Sequence, residues 1–276
     1  MAAIDYEAEY NNRRRVPEFP TIRARWLEAS KRVRAQLGTE LDVPYGTRER
    51  QRYDLFAPAH SSSDTPLIVY IHGGYWQRAD RTEYSFVAEN FVAAGAAIAI
   101  PSYTLCPAGT VADIADEMRL FMRVLWQKRG KRPVVVGHSA GGHLAATLLA
   151  TDWQKQGGVP TELVKAAYSI SGVFNLSPLI ETSLNEALRL DEPTARAASP
   201  LFGPAPPRGS TFVGAVGSNE SSEFIRQSRE MARVWSTAGV AAECVVVPNA
   251  DHFTIVDEFC RPDGPMLARI MKLART

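Results

Sequence analysis

The hydrophobic pattern changes its period along the chain. In the first forty residues Ile22, Trp26, Ala29, Val33 and Leu37 recur at three- and four-residue steps. That spacing places them on one face of a helix, which Gly38 is expected to end. From there short apolar runs alternate with helical stripes. The runs predict strands over Arg52–Phe56, Leu67–His72, Ala97–Pro101, Val134–His138, Ala166–Ser171, Thr211–Gly217 and Ala242–Pro248. Several are continuous Val/Ile/Ala segments, as expected of strands covered on both faces. Between them Val111, Ile114, Ala115, Met118, Phe121, Met122 and Leu125 trace one helical stripe; Phe224, Ile225, Met231, Val234 and Trp235 trace a looser one. Alternating β and α predict an α/β fold, a mostly parallel central sheet with helices on both faces.

No repeat or low-complexity tract divides the 276 residues, so a single domain over 1–276 is expected, with a helical N-terminal segment over 1–40. The stretch 172–209 is long for a connection and rich in proline. Its Phe174, Leu176, Leu179, Ile180, Leu184 and Leu188 are too many apolar residues for a solvated loop, so it is expected to cap a site.

Composition narrows the function classes. At 45% apolar residues the chain has material for a core and does not read as disordered. The longest apolar run, Phe91 to Ile100, falls short of the ~20 residues a membrane span needs. Thirty-one basic residues against 30 acidic ones leave a net charge of +1, no field for nucleic acid or an anionic membrane. The run Arg13-Arg14-Arg15 reads as a solvated face offset by Glu7, Glu9 and Glu18. Cys106, Cys244 and Cys260 are odd in number and widely spaced, against a disulfide framework or a zinc site. No metal and no cofactor are expected. The start, Met-Ala-Ala-Ile-Asp-Tyr-Glu, has neither a basic nor an apolar leader region, so a reducing, cytoplasmic setting is expected.

The chemistry concentrates at four places. Gly137-His138-Ser139-Ala140-Gly141 lies between a strand and a helical stretch. A serine on so sharp a turn needs small neighbours two positions either side, and the turn lifts its Oγ out of the sheet as a nucleophile. His72-Gly73-Gly74-Tyr75-Trp76 follows another strand. Its glycines let backbone N–H groups turn toward a carbonyl oxygen, as an oxyanion hole requires, with His72 as a brace. Tyr75 and Trp76 form either an aromatic wall or plain packing. His252, in Asp251-His252-Phe253, follows the last strand at the sheet edge where ligands bind, and is the candidate base. Glu220 leaves a strand just before a helix; it is favoured as the acid over Glu223, which falls in the first helical turn. Asp251 is read as loop bracing. The order serine, acid, histidine is that of α/β hydrolases.

With these residues in place, the chain resembles the α/β-hydrolase superfamily, near the hormone-sensitive-lipase-like esterases and closer still to the kynurenine formamidase (arylformamidase) group. That group typically reads HGGYW, as residues 72–76 do, and GHSAGAHL, against GHSAGGHL at 137–144. Its acid typically lies in a DSPEF-like segment, against Glu220-Ser221-Ser222-Glu223-Phe224. The departures are Gly142 for Ala and Glu220 for Asp. The resemblance implies Ser139 as nucleophile, Glu220 as acid, His252 as base, and Gly73, Gly74, Tyr75 and Ala140 around an oxyanion hole. It implies acyl-enzyme hydrolysis of a formamide, small amide or ester. Tyr75, Trp76, Phe174 and Phe253 are candidate contacts for an aromatic leaving group of a small-molecule substrate. The rivals are a general short-acyl carboxylesterase and a non-catalytic ligand-binding protein on the same fold; neither GxGxxG nor a P-loop motif is present for a nucleotide. Self-association is left open.

Overall fold

In the computed structural model, which describes residues 4–276, eight strands form one sheet. They are β1 (Gly38–Pro44), β2 (Arg52–Phe56), β3 (Leu67–Ile71), β4 (Ala97–Pro101), β5 (Val134–His138), β6 (Ala166–Ile170), β7 (Thr211–Gly217) and β8 (Ala241–Val247). Their order across the sheet is β1-β2-β4-β3-β5-β6-β7-β8. β1 pairs antiparallel with β2, and β2 antiparallel with β4; every later pairing is parallel. The residues Met1-Ala2-Ala3 that open the leader reading lie outside the described ones.

The apolar runs became strands because both faces are covered: β3 and β5 are buried at every residue. β1 departs from expectation, since Gly38 ends the helix but also begins a strand. β1 is mostly exposed, carries Thr39, Glu40 and Asp42, and shifts register twice against β2. A polar, irregular edge strand shows no alternation to read, and those same features guard an edge against stray pairing.

Ahead of the sheet lie α1 (Tyr6–Tyr10), α2 (Asn12–Arg15) and α3 (Phe19–Leu37). α3 buries the predicted Ile22, Trp26 and Val33. Its Arg34 pairs with the buried Asp54 of β2. The remaining helices are α4 (Ala88–Ala93), α5 (Val111–Arg129), α6 (Ala140–Leu149), α7 (Trp153–Gln156), α8 (Asn185–Leu188), α9 (Glu192–Ala197), α10 (Ser222–Thr237), α11 (Thr254–Cys260) and α12 (Pro265–Ala274). A capping box between Thr110 and Asp113 opens α5, and Gly130 at φ +62° closes it. Side chains of α5, α6 and α10 pack on one face of the sheet. Those of α3, α4, α11 and α12 pack on the other. No described helix is long and apolar enough to cross a membrane.

The stretch 172–209 folds into short turns with α8 and α9. Phe174, Leu176, Leu179 and Leu188 are buried in the same core cluster as α5 and α6. Its apolar content therefore serves the core more than a cap.

Candidate active site

β5 runs straight into α6, and the joint is Ser139. Its backbone sits at φ +56°, ψ −117°, a conformation that costs a non-glycine residue energy and persists only where its surroundings enforce it. The glycines on either side make the turn feasible. A Cβ on Gly137 would stand 2.0 Å from the carbonyl oxygen of Gly141, and one on Gly141 would stand 1.9 Å from that of Ile71. Ser139 N donates to Ile170 O at 2.8 Å, tying the turn to the neighbouring strand.

Two loops at the same end of the sheet bring the acid and the base together. The turn after β7 is stitched to the turn after β8: Ser218 N donates to Val247 O and Asn219 N to Ala250 O, both at 2.9 Å. Gly217 allows this approach, since a Cβ there would lie 2.2 Å from Ala250 O. Glu220 Oε2 then stands 2.7 Å from His252 Nδ1. Its Oε1 accepts from Ser171 Oγ at 2.6 Å and from Gly217 N at 2.7 Å. Glutamate's extra methylene, relative to the aspartate of the resembling group, is accommodated by folding the carboxylate back onto its own strand exit. Three hydrogen bonds on one carboxylate fix its position.

His138 braces the base from beneath. Burial and the neighbouring His252 hold its pKa well below the usual histidine range, so the ring is neutral. Its Nε2 lies 2.8 Å from the carbonyl oxygen of His252, which can only accept, so Nε2 carries the proton. Ser139 and His252 line one cavity. No hydrogen bond joins the hydroxyl to the imidazole in this resting arrangement, and such bonds commonly close only with substrate in place.

The loop after β3 faces the serine. A Cβ on Gly73 would meet Ser139 Cβ at 2.9 Å and His138 O at 2.8 Å, so glycine is required for the approach. Gly74 (φ +102°), Tyr75 (φ +53°) and Trp76 (φ +56°) continue in the left-handed region. The N–H groups of Gly74, Tyr75 and Ala140 donate to no other described residue, which leaves them available to an oxygen at the serine. His72 is a brace: its Nδ1 lies 2.8 Å from Gly73 O, it stacks on Tyr103 at 4.4 Å, and burial lowers its pKa to about 4.

The cavity above Ser139 encloses about 580 Å³. Gly74, Tyr75 and Phe253 line it as expected, but Trp76 and Phe174 do not. Trp76 is completely buried and meets His143 edge-on at 4.9 Å; Phe174 is completely buried against Phe212. Both were expected to touch substrate, and both instead fill the core beneath. The aromatic wall is built by other residues, namely Tyr10, Phe19, Trp26 and Tyr84 beside Phe253. The expected cap, 172–209, contributes only Leu184. The N-terminal segment closes the cavity in its place, with a continuous run of lining residues from Tyr10 to Arg13. Arg13, read from sequence as part of a solvated face, is one of them.

Three roles were not readable from the residues: Ser171 on the acid, His138 under the base, and the N-terminal segment as the roof. The only hint was a Ser-Gly pair after β6 and a histidine within the elbow. Glu223, the weaker candidate acid, is buried at the start of α10 and paired with Arg226 at 2.7 Å, away from the imidazole. Asp251 Oδ1 accepts from Phe253 N and Thr254 N, the loop bracing expected of it. Among the described residues no cluster of side chains has the makings of a metal site.

The BD-FAE family model matches residues 53–189. The chain is 33% identical to the kynurenine formamidase of Salmo salar, over 89% of this chain and 85% of that one. It is 32% identical to the kynurenine formamidase of Danio rerio, over 99% and 97%. A crystal structure of a candidate thioesterase from Silicibacter sp. TM1040 superposes with a TM-score of 0.88 at 27% identity, over 98% of this chain and all (100%) of that one. The Danio rerio relative and the thioesterase structure cover nearly the whole chain, and together these likenesses make it a hydrolase of the esterase and formamidase kind. The chain belongs to the kynurenine formamidase family of α/β hydrolases.

Proposed function

We propose that the protein hydrolyses an aryl formamide through a formyl-enzyme, most like the conversion of N-formylkynurenine to kynurenine and formate. The observation that carries this reading is the Glu220–His252 pair, 2.7 Å apart, whose imidazole lines one cavity with a serine on a strained elbow. Glu220 holds the proton of His252 on Nδ1, leaving Nε2 to take the proton of Ser139 as Oγ bonds to the formyl carbon. The amides of Gly74, Tyr75 and Ala140 receive the oxyanion, while Gly73 contributes by its missing Cβ. As the C–N bond breaks, Nε2 returns the proton to the leaving amine. Water then enters and Nε2 takes one of its protons as the oxygen bonds to the formyl carbon; when the second tetrahedral species collapses, Nε2 returns that proton to Ser139 Oγ and formic acid leaves, ionising to formate in solution.

The aromatic lining supports a leaving group with a ring, and the full-length likeness to kynurenine formamidases supports the formyl acyl group. Cys106, Cys244 and Cys260 are free thiols, in keeping with a reducing, cytoplasmic setting. The test is side-by-side kcat/KM on an aryl formamide and on aryl acetate, butyrate and decanoate esters. The formamide and acetate are expected to be turned over far faster than the long acyl chains. Brisk butyrate and decanoate hydrolysis with no formamide turnover would assign a general carboxylesterase in its place.

A further inference from the structure

The residue that follows β6 is held in a conformation it does not favour. Ser171 is completely buried and sits at φ +52°, in the left-handed region where a Cβ is crowded and glycine is at ease. What serine brings to this position over glycine is a hydroxyl. That hydroxyl donates to Glu220 Oε1 at 2.6 Å. Strain of this kind persists where the surroundings enforce it, and it clusters where it serves the chemistry.

The same residue joins the nucleophile to the acid through its backbone. β6 lies between β5, which ends at the elbow, and β7, which leads to Glu220. The peptide unit linking Ile170 to Ser171 spans that gap. Its carbonyl accepts from Ser139 N at 2.8 Å, and its N–H donates to Ala215 O at 2.7 Å. Glu220 reaches back to this point, with Oε1 on the Ser171 hydroxyl and Oε2 on His252 Nδ1 at 2.7 Å. Gly217 N also holds Oε1, but it belongs to the same strand exit as Glu220 and moves with it. Ser171 ties the carboxylate to a different strand, the one bonded to the nucleophile. Anchoring one oxygen of a carboxylate sets the plane of the group, and with it where the other oxygen meets the imidazole.

We propose that Ser171 is a positioning residue for hydrolysis: its hydroxyl, acting through Glu220, orients the imidazole of His252 toward Ser139. This rests on the hydrolytic reading of those three residues. Ser171 keeps its own proton throughout and touches neither substrate nor intermediate.

Two variants separate positioning from packing. Ser171→Gly removes the hydroxyl and relieves the backbone in one step; Ser171→Ala removes the hydroxyl and keeps the strain. A serine present for packing alone is replaced best by glycine, with activity following stability. A positioning serine breaks that link. Both variants should lower kcat on an aryl acetate by about 10- to 100-fold, the range for a hydrogen bond to a charged group. KM should stay within about twofold, and Ser171→Gly should keep a urea midpoint at or above that of Ser171→Ala. Because the hydroxyl acts through the carboxylate, Ser171→Gly introduced into Glu220→Gln should cost less than about threefold in kcat. Ser169→Ala deletes another completely buried hydroxyl two residues earlier and should keep kcat within about twofold.

The imidazole supplies a readout independent of turnover. Held on a carboxylate oxygen, its Nδ1–H gives a far-downfield proton resonance, identified by its loss in Glu220→Gln. In Ser171→Gly that resonance should move or broaden. Normal kcat in Ser171→Gly beside a crippled Glu220→Gln overturns the proposal and leaves the hydrolytic reading intact. Equal losses from Ser171→Gly in the two backgrounds, or an unmoved imidazole resonance, make Ser171 a packing residue and overturn it as well. Normal turnover by Glu220→Gln removes the acid itself, and the proposal with it. Should Ser171→Gly not fold, Ser171→Ala carries the same comparisons.

Discussion

Tyr75 donates its hydroxyl hydrogen to the backbone carbonyl of Tyr10 at 2.6 Å, across 65 residues of sequence. The same hydroxyl accepts from Asn12 Nδ2 at 3.3 Å. Tyr10 in turn donates its own hydroxyl to Glu223 Oε2 at 2.8 Å and accepts from Gln227 Nε2 at 2.5 Å. The N-terminal segment is therefore bolted at one end to the loop that faces Ser139 and at the other to α10, which begins just after Glu220. It roofs the cavity and holds two of its walls in register.

Tyr75→Phe removes this clasp with little change of shape and leaves a buried carbonyl without its donor. A loss of about 1–3 kcal/mol in unfolding free energy is expected by urea denaturation. Because Tyr75 also holds a left-handed backbone conformation in the serine-facing loop, kcat on an activated aryl ester should fall with it. Unchanged stability and unchanged kcat would show that the roof is held elsewhere.

Ser139→Ala should lower kcat by about 10⁶, as in other triads that act as a unit, and abolish labelling by a fluorophosphonate. Glu220→Gln should lower kcat by about 10⁴, because the amide can no longer hold the Nδ1 proton and the tautomer inverts. The structure leaves little room for Glu223 to substitute, since its carboxylate is engaged by Arg226 and Tyr10. If Glu223→Gln is the crippled enzyme in a steady-state comparison, the acid is misassigned.

Glu223 should reveal itself in stability instead. The hydrogen bonds from Arg226 hold its carboxyl below the usual glutamate range, with help from Tyr10 and against the effect of burial. A carboxyl whose folded pKa lies below its unfolded value, about 4.3, contributes stability that is full above that value and is lost as pH falls through the folded pKa. Wild-type urea midpoints should therefore drop between about pH 5 and pH 3 more steeply than those of Glu223→Gln. Parallel curves would mean that the ion pair carries no net stability.

What was legible in the sequence were features set by local chemistry. Continuous apolar runs marked the parallel strands, because burial on both faces favours apolar residues at successive positions. Glycines two positions either side of Ser139 marked the elbow, because any Cβ there meets a carbonyl. What was not legible depended on partners distant in sequence. Trp76 adjoins Tyr75 in the chain yet lies in the core, and adjacency does not reveal direction at a left-handed backbone position; Phe174 packs into the same core against Phe212, a partner distant in sequence. Arg13 sits in a run balanced by local acids, and only the fold turns it over Phe19. The apolar side chains of 172–209 were counted correctly, but their number says nothing of whether they face a cavity or the sheet.

Gly142 is where the chain departs from the GHSAGAHL pattern, and the structure supplies a reason. A Cβ on Gly142 would stand 2.5 Å from Ser169 Oγ and 3.0 Å from the Cα of Gly172. Ser169 is completely buried, and its hydroxyl has no hydrogen-bond partner among the described residues. The hydroxyl and the missing methyl thus compete for one space at the back of the elbow. Gly142→Ala alone should overpack it and destabilise by about 1–3 kcal/mol, with some loss of kcat because the displaced atoms support Ser139. Ser169→Ala alone deletes an unpaired hydroxyl and should be close to neutral. Combined, Gly142→Ala and Ser169→Ala should recover part of the loss, a favourable coupling that a double-mutant cycle in urea would read directly. Strict additivity of the two substitutions would place the strain at Gly172, whose backbone cannot yield, rather than at the serine.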